Sequence, residues 1–225
     1  MSFKKTFAIT TIDPPGTTRM EDGFCVNLRY GTINIVSVIP DFQHVPFDIV
    51  TETLKESDQE IRRRMFYFPK NSGFVTYEAR RALVVKIKYP YVHAIVGIGK
   101  AIIRQQLTYQ QADEMLQSSP SLKVVHDYTS NQVGKVLDAK NIILHLLEKF
   151  NDACASAMKS KNMYLFNRRH GIVTIGKDFG EFNRPLRDPV SFINCLRLVT
   201  YLETGLWRFA DKRQLSELIR PVTPR

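Results

Sequence analysis

Cysteine is scarce in this chain: Cys25, Cys154 and Cys195 are odd in number, widely spaced and flanked by apolar residues. That usage excludes a disulfide framework and a cysteine metal motif, and it indicates reduced thiols packed in a core. Tryptophan occurs once, at Trp207. No run of about 18 apolar residues exists, so no membrane-spanning helix is expected. The start, Met1-Ser2-Phe3-Lys4-Lys5-Thr6, has no apolar signal core or cleavage site, so Sec export is not indicated and a cytoplasmic location is expected. Internal repeats and low-complexity linkers are absent. Acids are in deficit, with 22 Asp and Glu against 32 Lys and Arg, a net charge of +10 and a pI near 9.6. Such an excess favours a polyanionic partner, nucleic acid or an anionic membrane surface.

A content of 44% hydrophobic and 24% charged residues is that of an ordinary folded protein, and 225 residues suffice for one domain with a real core. Residues 6 to 13, 24 to 29 and 32 to 39 read as strands, with Tyr30-Gly31 as a hairpin turn. Ile33, Ile35 and Ser37 fall on one face of the third. Asp48 is a candidate N-cap for a helix running to about Met65. Its basic end, Arg62-Arg63-Arg64, precedes Phe66-Tyr67-Phe68, and arginines beside aromatics can hold phosphates and stack bases. The same cations also suit a helix C-terminus.

The segments 82 to 89 and 91 to 107 read as paired strands carrying Lys86, Lys88, Lys100 and Arg104, either as a nucleic-acid platform or as a solvated outer face. Thr108 and Gln111 form a capping-box pattern ahead of a helix to Leu116. Residues 117 to 137, rich in Ser and Asn, are expected to be a loop excursion. A long helix from about Asp138 to Ser160 follows, and its apolar stripe makes His145 and Cys154 core residues rather than reactive ones. After Asn167-Arg168-Arg169-His170-Gly171 comes a strand over 172 to 175. Arg184-Pro185-Leu186-Arg187 then leads into a helix near Pro189, an arrangement that can aim guanidinium groups at a phosphate or form a salt-bridged turn. Helices over 190 to 201 and 214 to 219, with Trp207 between them, close the core.

Near the start, Ile12-Asp13, the turn Pro14-Pro15-Gly16, then Arg19, Glu21 and Asp22 bring three carboxylates to one strand end. Clustered carboxylates are held together by a hard cation such as Mg²⁺. Equally, Asp13 can cap the turn while Glu21 and Asp22 are solvated loop acids. Arg19 puts a fixed positive charge where a metal would sit.

In this order the pieces resemble the catalytic RNB domain of the ribonuclease II and ribonuclease R family. The Ile12-Asp13 to Asp22 stretch is similar to its metal-binding signature. Val38-Ile39-Pro40-Asp41-Phe42-Gln43-His44-Val45 resembles the strand end that follows. Ile102-Ile103-Arg104-Gln105-Gln106-Leu107-Thr108-Tyr109 resembles the segment leading into a helix. Arg169-His170 and Phe182-Asn183-Arg184-Pro185-Leu186-Arg187 resemble its R-x-H stretch and its FTSPIRRY motif. The resemblance implies an α+β fold, a mostly antiparallel sheet with helices packed on it, as a single domain over 1 to 225. It implies a 3′-to-5′ exoribonuclease ancestry in which Asp13 and Asp22 match metal-binding aspartates and Arg187 the motif arginine.

The departures point away from catalysis. Arg19 stands where the family has Asp, Glu21 where an essential aspartate is expected, and Ser191 where a later aspartate follows. A cation within ~5 Å of a metal would repel it by several kcal/mol at low dielectric. Arg19 could instead neutralise Asp13 or Glu21. The expectation is therefore a catalytically degenerate, single-stranded-RNA-binding protein without a cofactor. Its RNA contacts are expected from Arg19, Arg62, Arg63, Arg64, Tyr67, Lys86, Lys88, Arg104, Arg168, Arg169, His170, Arg184 and Arg187. A short stand-alone descendant of this kind would suit a large bacteriophage, acting in the host cytoplasm. Two alternatives stand beside it. One is an active Mg²⁺-dependent exoribonuclease using Asp13, Glu21 and Asp22, and the other a protein-interaction subunit of an RNA-protein assembly.

Overall fold

The computed structural model describes residues 2–43, 47–55, 72–89, 93–169, 172–206 and 212–219. Its centre is a five-stranded closed barrel in the order β1 (Ser2–Asp13), β2 (Asp22–Asn27), β3 (Thr32–Val38), β4 (Arg80–Lys88) and β5 (Ala94–Thr108). Neighbours pair antiparallel from β1 to β5, and the barrel closes by a parallel ladder between β1 and β5 from Ser2–Ile98 to Asp13–Thr108. Residues 28–30 form a single 3-10 turn before β3, and Gly31 supplies the left-handed φ of +55° that reverses the chain.

The mostly antiparallel sheet with packed helices is thus observed, and its closure into a barrel is an addition. β3 is buried along its whole length. Its Ile33 and Ile35 join one core, with Phe24, Leu83, Val85 and the helical residues Leu122, Ile142 and Phe150. Val36 and Val38 join a second, with Phe7, Ile9, Val84, Ile103, Phe166 and Phe192. Ile33 and Ile35 share one face as expected, and the opposite face is covered as well, so β3 is buried on both sides.

Among the described residues the helices are α1 (Phe47–Lys55), α2 (Tyr109–Met115), α3 (Pro120–Val133), α4 (Ala139–Lys159), α5 (Pro189–Thr204) and α6 (Lys212–Ile219). α2 carries the full capping box: Gln111 N–H donates to Thr108 Oγ1 at 3.2 Å and Thr108 N–H to Gln111 Oε1 at 2.8 Å. The stretch expected as a loop, 117 to 137, is instead largely α3, capped by Ser119 with Pro120 in the first turn. A short hairpin, β6 (Leu165–Arg169) with β7 (Ile172–Gly176), leads to the loop before α5. Residues 62, 63, 64, 67, 170 and 207, which carry the Arg62-Arg63-Arg64, Tyr67, His170 and Trp207 expectations, lie outside the described residues.

Candidate functional site

The carboxylate cluster sits where β1 ends and β2 begins. The turn between them is closed by Thr17 N–H to Pro14 O at 3.2 Å, with Gly16 at φ +78°. Its return is tied to neighbouring backbone: Phe74 N–H donates to Met20 O and Val38 N–H to Glu21 O, both at 2.7 Å. These bonds hold Glu21 with its side chain turned into the protein, 1% exposed.

Glu21 meets the loop before α5. Its Oε2 accepts the Leu186 N–H at 3.1 Å, and its Oε1 forms an ion pair with Arg187 Nε. The loop is itself fixed by two buried asparagines. Asn151 of α4 accepts the Phe182 N–H at 2.8 Å and donates to Asn183 Oδ1 at 3.0 Å. Asn194 of α5 exchanges hydrogen bonds with the Phe166 backbone, accepting at 3.0 Å and donating at 2.8 Å, and also donates to Glu181 O at 3.2 Å. The Arg187 side chain is left 53% exposed, with one nitrogen committed to Glu21.

Asp22 is the most perturbed acid at this strand end. Burial, then the nearby charges of Asp13 and Glu21, push it up to about 7, against the pull of Arg187 and Arg184. Burial also raises Asp13 and Glu21, and Arg187 is the foremost charge opposing the shift on Glu21. The Tyr109 phenol is raised by burial and then by Asp13 and Asp22, which places the first residue of α2 beside the same acids. A second acid pair adjoins the loop. Asp188 caps α5 by accepting the Val190 N–H at 3.2 Å, and its Oδ1 lies 2.7 Å from Arg168 Nη2. Glu181 is pushed up to about 7 by burial and then by its hydrogen bond to Asp188.

Arg19 acts on Glu21, one of the two acids it was expected to neutralise, but as a secondary charge. Its side chain runs over Gly73, with Cγ 3.1 Å from where a Gly73 Cβ would stand. Its charge acts on Glu21 more weakly than that of Arg187. Thus Arg187, not Arg19, is the principal cation at the carboxylates. Asp13, Glu21, Asp22, Arg184 and Arg187 are brought together; Arg168 is engaged by Asp188. Lys86, Lys88 and Arg104 are exposed on β4 and β5, and Arg169 belongs to β6. Sequence reasoning missed Glu181 and Tyr109, although both stand inside or beside the quoted motif stretches.

Glu21 is not free to ligate the divalent metal implied by the resemblance, since its oxygens are engaged by Leu186 and Arg187. Asp13, whose Oδ2 is buried without a hydrogen-bond partner, and Asp22 are the carboxylates that would hold it. Among the described residues, no three His, Cys, Asp or Glu side chains are spaced to hold a metal ion.

No family model matches the chain, and no curated protein matches it in sequence. Solved structures do match in fold. The apo form of Mycoplasma genitalium RNase R superposes with a TM-score of 0.67 at 10% identity, over 97% of this chain and 53% of that one. The same enzyme in complex with double-stranded RNA gives a TM-score of 0.65 at 11% identity, over 97% of this chain and 60% of that one. Yeast Ssd1, a pseudonuclease, gives 0.62 at 11% identity, over 96% of this chain and 42% of that one. The chain therefore spans about half the length of the RNase R chains it matches, 53% and 60%. In fold, then, the chain is similar to RNase R and to Ssd1.

Proposed function

We propose that this chain binds single-stranded RNA on a basic face around Arg184 and Arg187 and does not cleave it. The observation that carries this reading is the Glu21 carboxylate, buried and held by Arg187 and the Leu186 N–H rather than left open to a cation. An arginine fixed on one side by a carboxylate and exposed on the other presents its remaining donors to a phosphate in a set orientation. The exposed Arg184 adds a second guanidinium on the same loop. The net charge of +10 supplies long-range attraction for a polyanion. Mycoplasma genitalium RNase R, which shares the fold, has been solved in complex with ribose-methylated single-stranded RNA.

End-labelled single-stranded RNA tests both halves of the proposal. Binding is expected to weaken with salt, with a log-log slope of about −0.7 for each phosphate contacted. Incubation with Mg²⁺ or Mn²⁺ is expected to leave the RNA full length. Metal-dependent shortening that Asp13→Asn and Asp22→Asn both abolish would replace this reading with the nuclease. Absence of binding at low salt would remove it altogether.

A further inference from the structure

At the far end of β1 from Asp13 the barrel wall parts. β1 and β2 pair only at Thr10–Phe24; towards Ser2 and Asn27 the two strands have no further pairing. Between them lies a groove of about 640 Å³, a volume suited to a bound group of small-molecule size. Its walls carry Lys4 and Lys5 from β1 and Lys86 from β4, and no acidic side chain lines it among the described residues. Aromatic surface is supplied by Phe3 and by Tyr30, which is 60% exposed and has the Arg29 guanidinium 5.4 Å from its ring centroid.

The floor contains Asn34, 5% exposed. Its Nδ2 donates to Cys25 O at 3.5 Å, which fixes the carboxamide orientation, while its Oδ1 has no hydrogen-bond partner. An unpartnered buried acceptor costs stability and awaits a donor. The groove therefore combines positive charge, exposed aromatic faces and a lone acceptor. A nucleotide supplies the complement of each: a phosphate, a stacking base and an amino or imino N–H.

Resting on the RNA-binding reading, we infer that the β1–β2 groove is a second contact site for single-stranded RNA. Lys4, Lys5 and Lys86 hold phosphates there, Tyr30 and Phe3 offer stacking faces, and Asn34 Oδ1 accepts from a base. The site lies about 25 Å from Asp13, from the rise of a strand over the residues between Lys5 and Asp13. One RNA strand can thus span both, adding contacts without adding a second molecule.

The double variant Lys4→Glu/Lys5→Glu tests this, since both side chains are exposed; an unchanged melting temperature checks that the fold is kept. With each lysine holding one phosphate, the salt slope is expected to fall by about 1.4 in the variant, equivalent to roughly 25-fold weaker binding at about 0.1 M salt. Thiouridine-substituted RNA photocrosslinked to the wild-type chain is expected to label peptides containing residues 3 to 8 or Tyr30. Three results would overturn the inference: unchanged affinity and slope in the double variant, crosslinks confined to the Arg184–Arg187 loop, or occupation of the groove by an oligoglutamate strand with no RNA crosslink there. Failure of the wild-type chain to bind RNA at all would instead remove the primary reading, and this site with it.

Discussion

Asp22 is a carboxyl held at about 7 in the folded chain against an ordinary 3.8, and the sign of that shift has consequences. The folded state binds more protons than the unfolded one between these values, so this group's contribution favours folding at low pH and is lost as pH rises through about 7. Asp22→Asn removes the ionisation. It is expected to raise the melting temperature at pH 8, by on the order of a few kcal/mol of stability, and to change it little near pH 4. A melting temperature unaffected at pH 8 would mean that the carboxylates do not repel as their burial requires. On the proposed RNA-binding reading, affinity follows the same charge. As Asp22 and Glu181 ionise, negative charge appears beside Arg184 and Arg187. RNA affinity is therefore expected to fall between pH 6 and pH 8. Asp22→Asn combined with Glu181→Gln should flatten that fall, and a profile unchanged in the double variant would rule these acids out as its source.

At the scale of elements, the arginine loop owes its position to side chains of two helices rather than to its own sequence. Asn194 makes three hydrogen bonds, two buried ones to the Phe166 backbone and a part-buried one to Glu181 O. Asn194→Ala strands a buried backbone donor and acceptor, and at about 1 kcal/mol or more for each bond the expected loss is about 3 kcal/mol. An unchanged urea midpoint would contradict it. These supports were hidden from sequence reading because an asparagine in an apolar helix does not declare its partner. α2, by contrast, was legible from the Thr108 and Gln111 capping box, which forms as its spacing suggests, and α4 from its apolar stripe, with Asp138 found to cap it. α3 was missed through the ambiguity of Ser119-Pro120, which punctuates a loop or begins a helix with equal ease. Gly134, which ends α3 at φ +74°, completes the helix signature.

For the molecule as a whole, the five barrel strands and the order of motifs were readable, whereas β6 and the closure were not. The ladder that seals the barrel is parallel and joins residues some 95 positions apart, as between Thr10 and Gln105, and no local pattern encodes such a pairing. The same topology leaves one weak seam. β3 and β4 are paired on both sides along most of their length, but β2 meets β1 at a single residue pair. Hydrogen exchange is therefore expected to be slowest in β3 and β4, and fast at those β2 amides between Cys25 and Asn27 that face the gap, since exposed edges open without global unfolding. Exchange there as slow as in β3 would mean that β1 and β2 are zipped and the groove is closed. Adding single-stranded RNA should slow exchange at two separated places, residues 3 to 8 with 25 to 28, and residues 184 to 187. Protection at the second place alone would leave RNA binding to the arginine loop and deny it to the seam.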